Sequence, residues 1–211
     1  MKNRDLPEAV EKPKGRPRSF DRDKALLKAL DLFWRKGFEP ASVAELCAAM
    51  EINPPSLYAA FGNKAKLFLE AVNYYERVYW KATWERLEQT PDITQAIDRF
   101  FSEAAEILLS PSAPCGCMVV LAAINVSADS TDVIRAVSVL RQEGKDLFEK
   151  RLGRAVRENQ LPAGTNTAAL ATVLNTLLEG MSIEAKDGAT PESLKLTGQH
   201  AIRLLLPPLN A

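Results

Sequence analysis

The sequence predicts an all-α protein, and three observations support this fold class. Apolar residues recur at i, i+3 and i+4 along several stretches, which is the spacing of one helix face. The segments 56–90, 115–161 and 163–190 contain no proline, so helices can run through them without the cost of about 3 kcal/mol that an interior proline carries. Strand signals are poor, because sustained alternation is missing and the one hairpin-type dipeptide is Asp187-Gly188.

The composition is that of an ordinary globular protein. The chain has 211 residues, of which 46% are hydrophobic and 26% charged, so it is neither a disordered tail, nor collagen-like, nor a small disulfide scaffold. The longest apolar run, 117–124, is far shorter than the ~18 residues of a membrane span. The N-terminus has no apolar signal region, and the three cysteines are an odd count. We therefore expect a cytoplasmic protein with reduced thiols and no membrane partner.

The net charge of zero hides an asymmetry between the two parts of the chain. Residues 1–66 carry 13 Lys/Arg and 9 Asp/Glu, whereas residues 67–211 carry 14 and 18. Residues 12–18 read KPKGRPR, in which proline and glycine exclude a helix, so we expect residues 1–19 to form a flexible basic arm. Such an arm suits the groove of a polyanion, because each bound cation releases a counterion. The alternative is a solvated tail that binds nothing.

The first predicted helix runs from about Asp21 to Lys36. Its apolar stripe includes Leu26, Leu30 and Phe33, and glycine follows at position 37 to end it.

A second, short helix begins after Ser42. Glu45 stands three residues later, which is the spacing of a capping box.

A third short helix is predicted between Pro54 and Phe61. Asn53 is a good N-cap and Pro54 occupies the first helical position, where its missing N–H costs nothing. Gly62 ends this helix, and a fourth begins at Lys64. Two short capped helices joined by a three-residue turn, with a helix before them, form a helix-turn-helix. We place this domain at residues 20–66.

The exposed face of the third helix is the candidate DNA-reading surface. In helix-turn-helix motifs the second helix of the pair lies in the major groove of DNA. Hydroxyl groups can donate to phosphates or base edges, and a small apolar side chain can contact a thymine methyl. A lysine in the first turn of the next helix adds a cation beside exposed backbone N–H groups. The alternative is that the short helices only fill an α-helical domain. The residues expected to face DNA are Pro55, Ser56, Tyr58, Ala59 and Lys64.

Three segments carry a resemblance to a known family. GRPRSFD at 15–21, SVAEL at 42–46 and INPPSLYAAFGNKAKLF at 52–68 resemble the TetR family of bacterial transcriptional repressors. The resemblance covers about residues 15–68. It implies a homodimer with DNA-binding domains at one end and a small-molecule pocket in the C-terminal domain. It also implies backbone or groove contacts from Ser42, Ser56, Tyr58 and Lys64, and minor-groove or phosphate contacts from Arg16 and Arg18.

Three departures from the family pattern bear on DNA reading. Glu51 stands where glycine is usual, and a non-glycine residue at positive φ costs on the order of 1 kcal/mol. Pro54 and Pro55 replace the usual polar pair, and Ala59 replaces a larger side chain. We therefore expect thin base readout from this helix and a larger contribution from the arm and from DNA shape.

Residues 67–211 are predicted to form the ligand-binding and dimerisation domain, which brings the whole chain to about nine helices. A long helix covers 64–89, and two helices with broad apolar stripes, at 165–186 and 190–206, would leave apolar area exposed in a monomer. Pairing those helices with their two-fold mates gives a four-helix interface. Six residues of this domain are candidates to line an apolar pocket for an unknown inducer, although each could equally belong to the core. They are Tyr79, Trp80, Trp84, Phe101, Met118 and Asn125.

Cys115 and Cys117 are the candidate thiol sensors. A thiol at a helix N-terminus has a lowered pKa and is more reactive. The alternative is that Cys117 is a small buried residue and Cys115 is incidental. Two ligands do not make a metal site, and the single histidine, His200, is 83 residues beyond Cys117, so we predict no metal and no cofactor. A nearby histidine base and a phosphate-binding loop are missing, so we predict no enzyme.

The sequence thus predicts a ligand- or stress-responsive repressor that binds a palindromic operator as a dimer and is released by an effector in the C-terminal domain. One alternative is a thiol-based redox or electrophile sensor that acts through its cysteines. Another is an α-helical adaptor that does not bind DNA.

Overall fold

A computed structural model describes residues 20–205, which form ten α-helices and no strand. The predicted all-α class is confirmed, and the helix count exceeds the expected number by the single-turn α7. The helices are α1 (Arg22–Lys36), α2 (Val43–Met50), α3 (Pro54–Phe61), α4 (Lys64–Tyr75), α5 (Lys81–Gln89), α6 (Ile93–Leu108), α7 (Met118–Leu121), α8 (Thr131–Arg157), α9 (Thr167–Lys186) and α10 (Pro191–Ala201).

The first three helices begin and end at the capping residues that the sequence predicts. The Ser42 hydroxyl accepts the Glu45 N–H while the Glu45 carboxylate accepts the Ser42 N–H, which completes the capping box. The Asn53 side chain accepts the Ser56 N–H and so caps α3. Gly37 ends α1 with a φ of 87°. These local hydrogen bonds satisfy the amide groups that a helix terminus leaves unpaired.

Aromatic side chains form the core beneath α3. Phe33 of α1 packs edge-on against Phe68 of α4, with ring centroids 5.1 Å apart, and Phe38 tilts against the same ring at 5.0 Å. Leu57 and Phe61 bury the inner face of α3 in this core. The eight-residue helix therefore takes its position from the core and not from its own helix propensity.

The long helix predicted over 64–89 is interrupted at its centre. A π-helical turn, Glu76–Trp80, joins α4 to α5. The buried Trp80 indole N–H donates to the Tyr75 hydroxyl across this turn at 2.6 Å. A π turn holds one residue more than an α turn, so the side chains after it point in directions that an unbroken 3.6-residue period does not predict.

Arg151 of α8 is fully buried and closes the C-terminal end of α5. Its Nε donates to the Leu87 carbonyl at 3.1 Å, and its Nη2 donates to the carbonyls of Thr90 and Pro91 at 3.0 and 2.9 Å. The last carbonyls of a helix have no partner within the helix. Hydrogen bonds to such carbonyls offset part of the free-energy cost of burying the guanidinium.

The last two predicted helices are present as α9 and α10, and a 3₁₀ turn, Ile202–Leu205, follows α10. α10 lies against α6, where Gly198 meets Phe101 so closely that an added Cβ would stand 2.6 Å from the Phe101 Cβ. Among the described helices, none is both long and apolar enough to cross a lipid bilayer.

Candidate nucleic-acid interface and internal cavity

The outer face of α3 is open to solvent while its inner face is anchored. Leu57 is fully buried, whereas 48% of Tyr58 is exposed. Pro55 and Ala59 are also exposed, and Ser56 is half-buried. The structure thus brings these four predicted side chains together on one surface. That they contact DNA stays a prediction.

Arg22 fixes the position of α3, and sequence reasoning missed it. Its Nη2 donates to Glu70 Oε2 of α4 at 2.7 Å and to the Ala60 carbonyl of α3 at 3.3 Å. Its guanidinium also lies over the Phe61 ring, 4.4 Å from the centroid. One side chain at the start of α1 thereby ties α3 to α4. The sequence signal was a lone arginine that follows the helix N-cap, a pattern too common to single out.

Two other predicted contacts are placed differently from the expectation. The Lys64 ammonium donates to the Glu39 carbonyl at 3.1 Å and lies 4.5 Å from the centroid of the Phe38 ring, so it is directed into the α1–α2 turn. The Ser42 hydroxyl is engaged with Glu45 as both donor and acceptor. Contact with a phosphate would require Ser42 to release Glu45, because a hydroxyl has one proton to donate.

Acidic groups beside the candidate surface are neutralised locally. Lys28 Nζ lies 2.6 Å from the Glu51 carboxylate, and Lys36 pairs with Glu45. Hydrogen bonds from Lys36 and from Ser42 lower the pKa of Glu45 to about 2. The exposed Lys66, in the first turn of α4, makes no ion pair within residues 20–205 and is a further candidate for a phosphate contact. Arg16 and Arg18 lie outside the described residues.

A cavity of about 590 Å³ lies between the α4–α5 segment, the region of α7, and helices α8 and α9. Trp80 and Trp84 line it as predicted. The other four expected pocket residues do not border this cavity: Phe101 and Met118 are fully buried in the core, Tyr79 packs against Trp34, and Asn125 is exposed on a loop. Periodicity alone does not separate a cavity wall from a packed core.

Glu76 stands at the π turn and lines the same cavity, although sequence reasoning did not select it. Burial raises the pKa of its carboxyl to about 7, and the nearby Glu143 carboxylate adds to the rise. The signal in the sequence was an acid among the aromatic residues of a long helix. Such a group titrates near neutral pH, which is typical of functional sites.

The two candidate thiols have different surroundings. Cys117 is buried and lines the cavity, and desolvation, followed by the Glu76 charge, raises the pKa of its thiol to about 11. The lowered pKa expected at a helix N-terminus is therefore not found at Cys117, because burial and the Glu76 charge outweigh the hydrogen bonds from Tyr75 and from two backbone N–H groups. Cys115 is exposed, so the thiol-sensor alternative depends on Cys115 and stays a prediction. Residues 20–205 contain no cluster of three or more potential metal ligands.

The segment around α7, residues 116–122, links the cavity to the helix-turn-helix. The Trp34 indole of α1 donates to the Gly116 carbonyl at 2.8 Å, and the Phe38 N–H donates to the Ala122 carbonyl at 2.7 Å. On the other side of the segment, the Cys117 N–H donates to the Ser182 hydroxyl of α9 at 2.7 Å. A shift of this segment would therefore displace the end of α1.

Two family models match the chain. One, described as bacterial regulatory proteins of the tetR family, matches residues 25–71, and the other, described as tetracyclin repressor-like C-terminal domain, matches residues 94–201. The second match alone spans more than half of the chain. The chain belongs to the TetR family.

Relatives across the whole length agree with this assignment. The HTH-type transcriptional repressor ComR of Escherichia coli K12 is 31% identical over 201 residues, which cover 95% of this chain and 96% of ComR. BdcR of the same organism, also an HTH-type transcriptional repressor, is 29% identical over 187 residues, 89% of this chain and 90% of BdcR. A structure of the TetR-family regulator CifR, a cysteine mutant with a 26-base-pair operator DNA, superposes with a TM-score of 0.85 at 41% identity and covers 89% of this chain and 98% of CifR.

One departure from the TetR pattern is visible in the geometry. Glu51 ends α2 in the left-handed region, with a φ of 57°. The ion pair with Lys28 also lowers the pKa of the Glu51 carboxyl. The turn of this TetR-family chain is thus held in a conformation that its residue type disfavours.

Proposed function

We propose that this chain is a transcriptional repressor that binds a palindromic operator as a homodimer and releases it when a small molecule occupies the C-terminal cavity. The observation that carries the proposal is the exposed outer face of α3 on a helix whose inner face is anchored by Leu57 and by the Arg22 contacts. An anchored helix with a free outer face can enter the major groove without a change of fold. The repressor names of ComR and BdcR and the operator complex of CifR support the same function.

The proposed dimer is formed by α9 and α10. Val173 and Ile183 of α9 are each nearly half exposed, at 47% and 48%, and Leu204 in the turn after α10 is 47% exposed. The apolar stripe predicted from the sequence divides between two surfaces, because Leu174 and Met181 face the chain's own core. Covering the exposed part with a second copy removes apolar area from water, and the two-fold axis sets the spacing of the two α3 helices.

Release requires that the effector bind one conformer more tightly than the other. The hydrogen bonds from Trp34 and Phe38 to the segment around α7 connect α1 with residues that border the cavity. An effector that displaces this segment would change the relative position of the two α3 helices in the dimer. We place this activity in the cytoplasm, where the operator DNA is.

The test is fluorescence anisotropy of the full chain with labelled DNA from upstream of its own gene. Tyr58→Ala should weaken operator binding at least about tenfold, which corresponds to the ~1–3 kcal/mol of a base or stacking contact. Tyr74→Ala, a tyrosine of α4 outside the α3 surface, is the matched control and should bind as the unaltered protein does. Circular dichroism and dimer mass should be the same in both variants. Equal affinity for Tyr58→Ala would refute the role of α3. No binding to any DNA sequence at moderate salt would favour the helical adaptor, and binding without sequence dependence would contradict an operator-specific repressor.

A further inference from the structure

The wall of the cavity combines aromatic surface with carboxylates. Trp80 and Trp84 contribute indole rings, and Leu140 and Leu178 add aliphatic surface. A volume of about 590 Å³ suits a drug-sized molecule, and a mostly apolar wall with a few polar groups is typical of small-molecule sites. The polar groups of the wall then determine whether the cavity favours a cationic, a neutral or an anionic molecule.

The acids that line the cavity differ in whether a cation offsets them. Glu85 lies 3.8 Å from Lys81, and Glu88 lies 3.5 Å from Lys150. Within residues 20–205, three lining acids have no Lys, Arg or His nitrogen within 4.0 Å; they are Glu76, Glu143 and Glu179. Glu179 does accept a hydrogen bond from the Asn175 amide, at 3.0 Å.

The remaining cations of the wall are directed elsewhere. The Arg141 guanidinium donates to the carbonyls of Val119 and Val120 at 3.0 and 3.1 Å. The Arg77 guanidinium lies over the Tyr74 ring, 5.3 Å from its centroid. Neither guanidinium forms an ion pair with Glu76, Glu143 or Glu179, and these three acids line the cavity without a paired cation from residues 20–205.

A bound molecule would bury this charge more deeply. At pH 8, where the Glu76 carboxyl has lost its proton, a neutral molecule would leave this carboxylate desolvated and unpaired, and an anion would add repulsion. A cation offsets the charge, and the faces of the two tryptophans attract a positive group as well. We propose that the cavity binds an organic monocation with an apolar body, its positive group held between Glu76 and the tryptophan rings. This inference rests on the proposed role of the cavity as the effector site.

The experiment compares two probes of the same shape by titration calorimetry on the full-length protein at pH 8. Benzyltrimethylammonium carries the charge, and neopentylbenzene is its neutral isostere. We expect the cation to bind at least about tenfold more tightly, as a desolvated cation–π contact together with a carboxylate partner implies. Equal affinities, or tighter binding of the neutral probe, would overturn the inference.

Glutamine variants identify which carboxylate attracts the cation. Glu76→Gln should weaken the cation about tenfold and leave the neutral probe unchanged, because only the charge is removed. Glu106→Gln is the matched control, an acid of α6 that does not line the cavity and is paired with Lys195 at 3.2 Å, and it should change neither affinity. Glu143→Gln supplies a second variant if Glu76→Gln does not fold, and it should weaken the cation as well. An unchanged cation affinity in a folded Glu76→Gln protein contradicts the proposal.

Failure of this inference is distinguishable from failure of the proposed function. Operator binding without any probe tests the repressor, and it does not depend on the ligand class. Neutral and cationic probes that bind equally and both release DNA would retain the effector site and overturn the charge preference. If neither probe binds, the inference is wrong, while the operator titration still tests α3.

Discussion

Glu76 reduces the stability of the fold at neutral pH. Burial and Glu143 raise the pKa of its carboxyl from 4.5 to about 7, so the folded state holds a proton that the unfolded state has released between those two values. The free energy of unfolding therefore falls as the pH rises through this interval and is lowest above it. Groups that weaken the folded state are common where a protein binds a ligand.

Glu76→Gln should remove this pH dependence. We expect the variant to match the unaltered protein near pH 4 and to exceed its free energy of unfolding by about 1–3 kcal/mol at pH 8, a range discounted for the partial exposure of the group. Urea denaturation at both pH values measures the difference. Glu88 is paired with Lys150 in the unaltered protein, so Glu88→Gln should not show this difference in the free energy of unfolding between pH 4 and pH 8. Parallel pH curves for Glu76→Gln and the unaltered protein would contradict this account.

Glu51 also destabilises the fold, through its backbone conformation, and glycine should fit its position better. Glu51→Gly removes the left-handed strain at a φ of 57° and gives up only an exposed ion pair with Lys28. We expect a net stabilisation of about 0.5–1 kcal/mol in denaturant titrations. Asn159, with a φ of 59°, is the control, because asparagine tolerates this region and Asn159→Gly should gain less. A loss of stability in Glu51→Gly would mean that the ion pair outweighs the strain.

At the scale of elements, the sequence predicted those features that depend on neighbours along the chain. Ser42 and Asn53 cap their helices as expected, because an N-cap needs only the next three residues. At the π turn, Glu76–Trp80, the Trp80 ring lies 6.4 Å from the ring of Phe100 in α6, a contact between residues distant in sequence. The cavity likewise exists only once α8 and α9 are in place. For this reason the exposed side chains of α3 could be selected in advance, whereas only two of the six expected pocket residues border the cavity.

α10 approaches α6 closely at Gly198 and Phe101, and the sequence did not reveal this contact. Gly198→Ala would place a methyl group 2.6 Å from the Phe101 Cβ, so one helix must shift. We expect a loss of about 1–3 kcal/mol in the free energy of unfolding, the usual cost of overpacking. Gly153→Ala, in α8, would meet only the end of the Arg157 side chain and should be neutral or stabilising through helix propensity. Equal stability of Gly198→Ala and the unaltered protein would show that α10 moves freely on α6.

At the scale of the whole molecule, we expect operator affinity to combine a groove-reading helix with positive charge from residues 1–18. That segment contains six Lys and Arg residues and lies outside the described structure. Deleting it should weaken binding to every DNA sequence and flatten the dependence of the binding constant on salt, because fewer counterions are released. Anisotropy titrations over a range of salt concentrations measure the slope. If the slope does not change, the arm does not contact phosphate.

The segment around α7 divides the cavity wall into two kinds of position. Cys117 and Val119 of this segment line the cavity and share a backbone with the carbonyls that hold Trp34 and Phe38, so we expect exchanges there to alter the proposed read-out as well as the pocket. Trp84 and Leu147, on α5 and α8, border the same space away from that segment. An engineer who wants a biosensor for another compound should therefore randomise the second kind of position and leave the first kind intact.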